Sequence, residues 1–236
     1  MKISVIIPAL NEEACIGELV SAIPWSVANE VIVVDNGSTD RTAQVARDAG
    51  ARVVAEPRRG YGSARMAGTA AAHDADVLVF MDGDLSDDPA ELSNIVAPIL
   101  AGEADLVLGM RVPIERGVFT PQQAFGNALA LFLIGILFGT RLRDLPSFKA
   151  IRRTTLEQMN LKERTYGWTT ELVVKAAKSN VRIVEVPTPY RKRAAGRSKI
   201  SSTVRGTIGA GYSILTVIFR YAFWRAPGIQ PRQSPS

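Results

Sequence analysis

The chain has 236 residues, 47% hydrophobic and 22% charged, enough for one globular domain of upper-normal size or a domain with an appendage. Its one cysteine, Cys15, excludes an internal disulfide framework and a cysteine-rich zinc site. Its one histidine, His73, stands beside Asp74 in an Ala-rich stretch and leaves a histidine metal cluster or a Ser-His-Asp triad without its parts. The net charge of +5 is uneven: the first 185 residues hold 19 cations and 23 acids, the last 51 hold nine cations and no acid, which points to an anionic partner at the C-terminal end.

In chain order, "KISVIIPAL" reads as a buried strand and "EEACIGELVSAI" as an amphipathic helix. "EVIVVDNGS" is a second strand, and "TDRTAQVARDAG" a helix closed by Gly50. "ARVVAEP", the helix "GSARMAGTAAAHDA" and the strand "DVLVFMDGD" follow, then "AGEADLVLGMR", a strand ending at Arg111. The regularity weakens over 112–165 before the helix "WTTELVVKAAKS" and the strand "VRIVEVP"; "YRKRAAGRSKIS" reads as a loop. Short apolar strands alternating with helices predict an α/β fold with a mostly parallel sheet flanked by helices.

In such sheets ligands bind beyond the carboxyl ends of the strands. The polar motifs stand at those ends: Pro8-Ala9-Leu10-Asn11-Glu12, Asp35-Asn36-Gly37-Ser38 and Asp82-Gly83-Asp84. A dinucleotide fingerprint is missing, because the first turn, "PALNEE", has no glycine and "GYGSARMAG" has Arg65 where the third glycine belongs; a P-loop is absent as well. Two aspartates at the end of a buried strand need compensation, since burying carboxylates costs several kcal/mol. Asp82 and Asp84 suit a Mg²⁺ or Mn²⁺ ion, which takes hard oxygen ligands and shares them with phosphates. Asp87 and Asp88 read as caps of a helix begun by Pro89.

The set "VIIPALNEE", "VIVVDNGSTD", "GYGSARMAG", "VFMDGDLSDDP" and "GMR" resembles glycosyltransferase family 2, of GT-A fold, and within it the dolichyl- or polyprenyl-phosphate mannose synthase-like branch. The resemblance covers about residues 3–205. It implies an inverting transferase that takes a hexose from a GDP- or UDP-sugar, with Pro8, Ala9, Asn11, Glu12 and Asp35 on base and ribose. Asp82 and Asp84 would serve the sugar nucleotide and the metal. Many relatives carry a Gln two residues after the second aspartate; Ser86 stands there in this chain. "GRSK" (196–199) resembles the basic loop that holds an acceptor phosphate, giving Arg197 and Lys199, with Arg111, an acceptor-side role beside Asp84. An acceptor phosphate is already anionic near neutral pH, so no general base is required. Asp144 in "RDLPSFKAIRR" is an acceptor-side candidate whose surroundings depart from the family pattern. Glu171 in "YGWTTEL" is either a site residue or an acid placed by the helix dipole.

Two apolar stretches, 124–140 and 206–219, fall short of a confident membrane span, so buried or interfacial helices fit better. No signal peptide is evident ahead of Asn11-Glu12-Glu13. The expected organisation is a GT-A domain over 1–205, a membrane-interface helix over 206–225 and a disordered tail over 226–236. The protein would sit peripherally on the cytoplasmic side of a membrane, with a nucleotide sugar, a polyprenyl phosphate and the membrane surface as partners. A membrane-protein partner for the same helix is the competing reading, and nucleic acid is not expected. Two alternatives stand beside this: the same donor chemistry with a soluble or glycolipid acceptor, and a non-catalytic membrane-surface binding module.

Overall fold

The computed structural model describes residues 1–195 and 204–224, the side chains of 204–208 excepted. One seven-stranded sheet runs in the order β3-β2-β1-β4-β6-β5-β7. Its strands are β1 (Ile3–Ala9), β2 (Glu30–Asp35), β3 (Arg52–Ala55), β4 (Val77–Phe80), β5 (Leu106–Pro113), β6 (Lys149–Arg152) and β7 (Ile183–Tyr190). β1, β2, β3 and β4 pair in parallel, as do β5 and β7, while β6 lies antiparallel between β4 and β5. The GT-A α/β architecture expected from the sequence is therefore present, with one short antiparallel insertion that the weak periodicity of 112–165 concealed.

Side chains alternate across a strand, so the sheet feeds two cores. Ile3, Val5 and Ile7 of β1 face α1 (Ile16–Ala22) and α4 (Leu92–Leu100). Ile6, Ile32, Val34 and Phe80 face α3 (Tyr61–Ala71), α5 (Pro121–Phe138), α7 (Trp168–Lys178) and α8 (Val204–Ala222). The shorter α2 (Thr42–Asp48) follows β2, and α6 (Arg153–Met159) follows β6. Among the described residues Cys15 is buried and free, whereas Trp25 is 45% exposed.

The C-terminal helix is tied to the body. Tyr221 Oη donates to Glu171 Oε1 at 2.5 Å, and Lys178 Nζ caps the carbonyls of Tyr221, Ala222 and Trp224 at 2.6–2.9 Å. Glu171 is fully buried, ion-paired with Lys175 at 2.7 Å and accepts from the N–H groups of Lys162 and Glu163. The two open readings of Glu171 thus resolve toward structure: it holds α7 and α8 together. Burial works to raise its carboxyl, but Lys175 and Tyr221 hold it below the usual glutamate value. That stabilisation is present above the unfolded pKa and is lost as pH falls through the depressed folded one. Glu171→Gln strands Lys175, so a loss of about 3–5 kcal/mol is expected. A melting temperature lower by roughly 10 °C at pH 7, with the difference shrinking below about pH 4, is the readout.

Candidate active site

The parallel register of β1 and β2 sets Pro8 against Val34 and Ala9 against Asp35, so both chains leave the sheet at one edge. There the two loops lock together. Asn11, in the left-handed region at φ 53° that asparagine tolerates, donates its N–H to Ser38 Oγ at 3.0 Å and accepts from the Thr39 N–H at 2.8 Å. Asp35 Oδ1 accepts the Ser38 N–H at 2.8 Å, and the Glu12 N–H donates to Thr42 Oγ1 at 2.8 Å. The sequence-predicted donor residues Pro8, Ala9, Asn11, Glu12 and Asp35 therefore form one rim.

β4 is wholly buried and gives way to the carboxylates at that same edge. Asp82 is half-buried and accepts from Tyr61 Oη at 2.8 Å and from Arg65 Nη2 at 3.3 Å. Asp84 is buried, and its Oδ1 accepts the Ser86 N–H at 3.0 Å across a turn in which Leu85 takes φ 61°. Burial, and then the charge of Asp82, push the Asp84 carboxyl upward against the pull of Arg193. Asp88 caps the short turn Pro89–Glu91 as expected, accepting from the Ala90 N–H. Asp87 does not. It turns inward, is 1% exposed, accepts from Ser147 Oγ at 3.0 Å, and keeps an Oδ1 with no hydrogen-bond partner. Burial and the neighbouring Asp82 and Asp84 raise it to about 7. The cap reading fails because capping is decided locally, while the direction of Asp87 is set by the sheet beneath it.

Cations surround this acidic group. Arg65 is fully buried, with its guanidinium 4.2 Å from the Tyr61 ring centroid and 5.0 Å from that of Trp168. Lys149 is brought in by the antiparallel register, which places it opposite Phe80, and it donates to Thr169 Oγ1 at 3.0 Å. Burial, then Arg65, draw the Lys149 ammonium well below the usual lysine value. Arg193 reaches over from the loop after β7, with Nη1 at 2.9 and 3.0 Å from the Glu12 carboxylate and Nη2 at 3.0 Å from Asp84 Oδ2. The glycines of "GYGSARMAG" serve packing: a Cβ on Gly60 would stand 2.4 Å from the Arg164 carbonyl oxygen, and one on Gly62 2.5 Å from that of Glu163.

Arg111 borders the site on β5. Asp144 holds it by a fork of 2.7 and 2.6 Å plus a bond from the Arg111 N–H, and Phe119 and Tyr190 flank its guanidinium at 4.8 and 5.3 Å. Tyr190 in turn bridges to Asp87. Burial works to raise the Asp144 carboxyl, but the fork to Arg111 holds it below the usual aspartate value. Arg197 and Lys199 lie outside the described residues. A cleft of about 530 Å³ opens beside the end of α5, lined by Met110, Arg141, Leu142, Arg143, Glu185 and Pro187, and does not include Asp82, Asp84 or Asp87. Sequence reasoning treated Arg65 only as the residue that spoils a glycine fingerprint, and Arg193 only as part of a basic loop. Neither announces its acidic partner locally, since Asp82 is 17 positions from Arg65 and Glu12 is 181 positions from Arg193.

A rim of loop groups beside paired carboxylates, at the carboxyl edge of a parallel sheet, can hold a nucleotide with its phosphates toward the acids. The model for Glycosyl transferase family 2 matches residues 4–159. An uncharacterized glycosyltransferase of Mycobacterium tuberculosis is 38% identical over 207 residues, covering 87% of this chain and 93% of the relative. A dolichyl-phosphate hexose transferase of Haloferax volcanii is 33% identical over 218 residues, covering 91% and 93%. The crystal structure of glucosyl-3-phosphoglycerate synthase from Mycobacterium tuberculosis with Mn²⁺, UDP-glucose and glycerol 3-phosphate superposes with a TM-score of 0.73 at 28% identity, covering 92% of this chain and 80% of that one. The chain is a glycosyltransferase and belongs to glycosyl transferase family 2.

Proposed function

We propose that this glycosyltransferase moves a hexose, with inversion, from a GDP- or UDP-sugar to a polyprenyl phosphate at the cytoplasmic surface of a membrane. The choice of acceptor rests on helix α5. It is 18 residues long, apolar enough to cross a membrane, and leaves Phe125, Phe132 and Ile136 at 63–70% exposure. α8 packs beside it and adds the exposed Tyr212 and Phe219, with Phe223 exposed just beyond its end. A soluble monomer rarely carries such a surface. It suits an enzyme lying on a bilayer, its apolar faces in the acyl boundary and Arg141, Arg143 and Arg220 toward the headgroups.

On this reading Pro8, Ala9, Asn11, Glu12 and Asp35 receive base and ribose. The acidic group fits a hard divalent cation: its donors are carboxylate oxygens, Asp87 Oδ1 is buried without a partner, and the Arg193 guanidinium already supplies positive charge to Asp84. Among the described residues no three His, Cys, Asp or Glu side chains are arranged as a complete metal site. Asp82 and Asp84 would therefore hold Mg²⁺ or Mn²⁺ together with donor phosphate oxygens and water. The ion, when bound, supplies Lewis-acid stabilisation to the departing diphosphate. The acceptor phosphate oxygen attacks the anomeric carbon as the bond from that carbon to the diphosphate breaks, and the electron pair leaves on the nucleoside diphosphate. The attacking oxygen is already an anion, so the protein's work is placement and electrostatics. Arg197 and Lys199 are assigned to the acceptor phosphate, and Arg111, fixed by Asp144, to shaping the acceptor side.

A charged contact to a phosphate is worth roughly 1.5–3 kcal/mol. Arg197→Ala and Lys199→Ala are accordingly expected to raise the acceptor KM about 10- to 100-fold with donor affinity unchanged. Loss of donor affinity with normal acceptor kinetics would reassign the loop. The likeness to glucosyl-3-phosphoglycerate synthase favours a second reading, a small soluble phosphorylated acceptor. Release of nucleoside diphosphate from GDP- and UDP-hexoses separates the two. Stimulation by a short polyprenyl phosphate in detergent, and none by 3-phosphoglycerate, supports the lipid acceptor; the reverse pattern supports the soluble one.

A further inference from the structure

The loop that follows β7 is fastened across the acidic turn. The Arg191 N–H donates to the Ser86 carbonyl at 3.0 Å, the Ala194 N–H donates to the Asp84 carbonyl at 3.1 Å, and Arg191 Nη2 pairs with Asp88 at 2.8 Å. Between these pins the Arg193 guanidinium spans Glu12 and Asp84. It is 21% exposed, so water reaches it and the contact can open without disturbing either core. Its planar fork grips both carboxylates at once, and Asp84 is the one a divalent ion there would also use. A divalent ion on Asp84 would lie close to the Arg193 guanidinium, which stands 3.0 Å from Asp84 Oδ2, and the two cations repel each other there.

We propose that Arg193 is a counter-cation seated at the metal position of the donor-free enzyme, and that metal binding requires it to leave. Its seat keeps the acidic group neutralised while no donor is present and makes the metal bind poorly alone. A donor diphosphate gives the displaced guanidinium a new anionic partner, so metal and sugar nucleotide enter together. The proposal rests on the donor-site reading above.

The test uses the full chain and Mn²⁺ alone, with free Mn²⁺ followed by electron paramagnetic resonance. A site whose binding-competent form is only partly populated shows its affinity reduced by that fraction, and removing the competitor restores it. Arg193→Gln is therefore expected to bind Mn²⁺ roughly 10-fold more tightly than the parent in the absence of nucleotide. Arg193→Lys, which keeps the charge but not the fork, should fall between. Adding UDP or GDP should improve Mn²⁺ binding to the parent far more than to Arg193→Gln. A purely structural arginine would give the variant equal or weaker Mn²⁺ affinity, and that result overturns the proposal. Asp84→Asn locates the ion: loss of Mn²⁺ binding in both backgrounds supports the shared seat. Retained binding overturns the donor-site reading, and this proposal with it.

Discussion

Asp84→Asn is expected to lower turnover by about a thousand-fold or more while leaving the melting temperature within a few degrees of the parent. If Asp84 holds the ion that stabilises the leaving diphosphate, its loss removes several kcal/mol from the transition state, and each 1.36 kcal/mol is about tenfold in rate. The fold is spared for a physical reason. Burial and Asp82 raise the Asp84 carboxyl, so folding works against its charged form, and a neutral amide relieves that cost. Asn also keeps an oxygen for the Ser86 N–H, which Asp84 Oδ1 accepts at 3.0 Å. Chelation with EDTA should silence the parent to the same degree. Full activity in EDTA contradicts the metal assignment.

The second large effect concerns the membrane. Phe125, Phe132 and Ile136 project from α5 into solvent, while only Ala130 and Ile134 of that helix are buried. Burying each large apolar side chain in an acyl boundary contributes about 1.5–3 kcal/mol. The triple replacement Phe125→Ser, Phe132→Ser, Ile136→Ser should therefore abolish flotation with anionic vesicles, by more than a hundred-fold in partitioning. Nucleotide binding should not change, because the carboxyl edge of the sheet is untouched. Equal flotation of parent and variant would remove α5 from the membrane contact. Deleting residues from 206 onward is a poorer probe, because Glu171 and Lys178 hold α8 onto the body and its removal uncovers the Ile134 and Trp168 side of the core.

Much of the site is legible in the sequence because its chemistry is local. Asn11 and Glu12 follow β1 directly, Asp35 ends β2, and Asp82 and Asp84 come just after β4. Parallel pairing then brings these ends to one edge with no further information. What the sequence hides is long-range. β6, with the residues KAIR, is too short and too polar to announce a strand, yet its antiparallel register sets Lys149 beside Phe80. Asp87 sits next to a real cap, Asp88, and only the half-buried Ser147 shows that it points the other way. Glu171 meets Tyr221 fifty positions on, so its part in docking α8 has no signature near it. α5 is apolar on all faces, which periodicity reads as burial; that it stands largely uncovered is decided by which elements pack against it.

Transfer of radiolabel to lipid decides whether the acceptor is a polyprenyl phosphate. The full chain in detergent, with Mg²⁺ or Mn²⁺ and a polyprenyl phosphate, is given each of a panel of GDP- and UDP-[¹⁴C]hexoses, and the product is partitioned between water and organic solvent. Label from one donor is expected to move into the organic phase in proportion to protein, and Asp84→Asn or EDTA to prevent it. Label that is turned over yet stays in the aqueous phase with every donor, polyprenyl phosphate present or not, would contradict transfer to a polyprenyl phosphate.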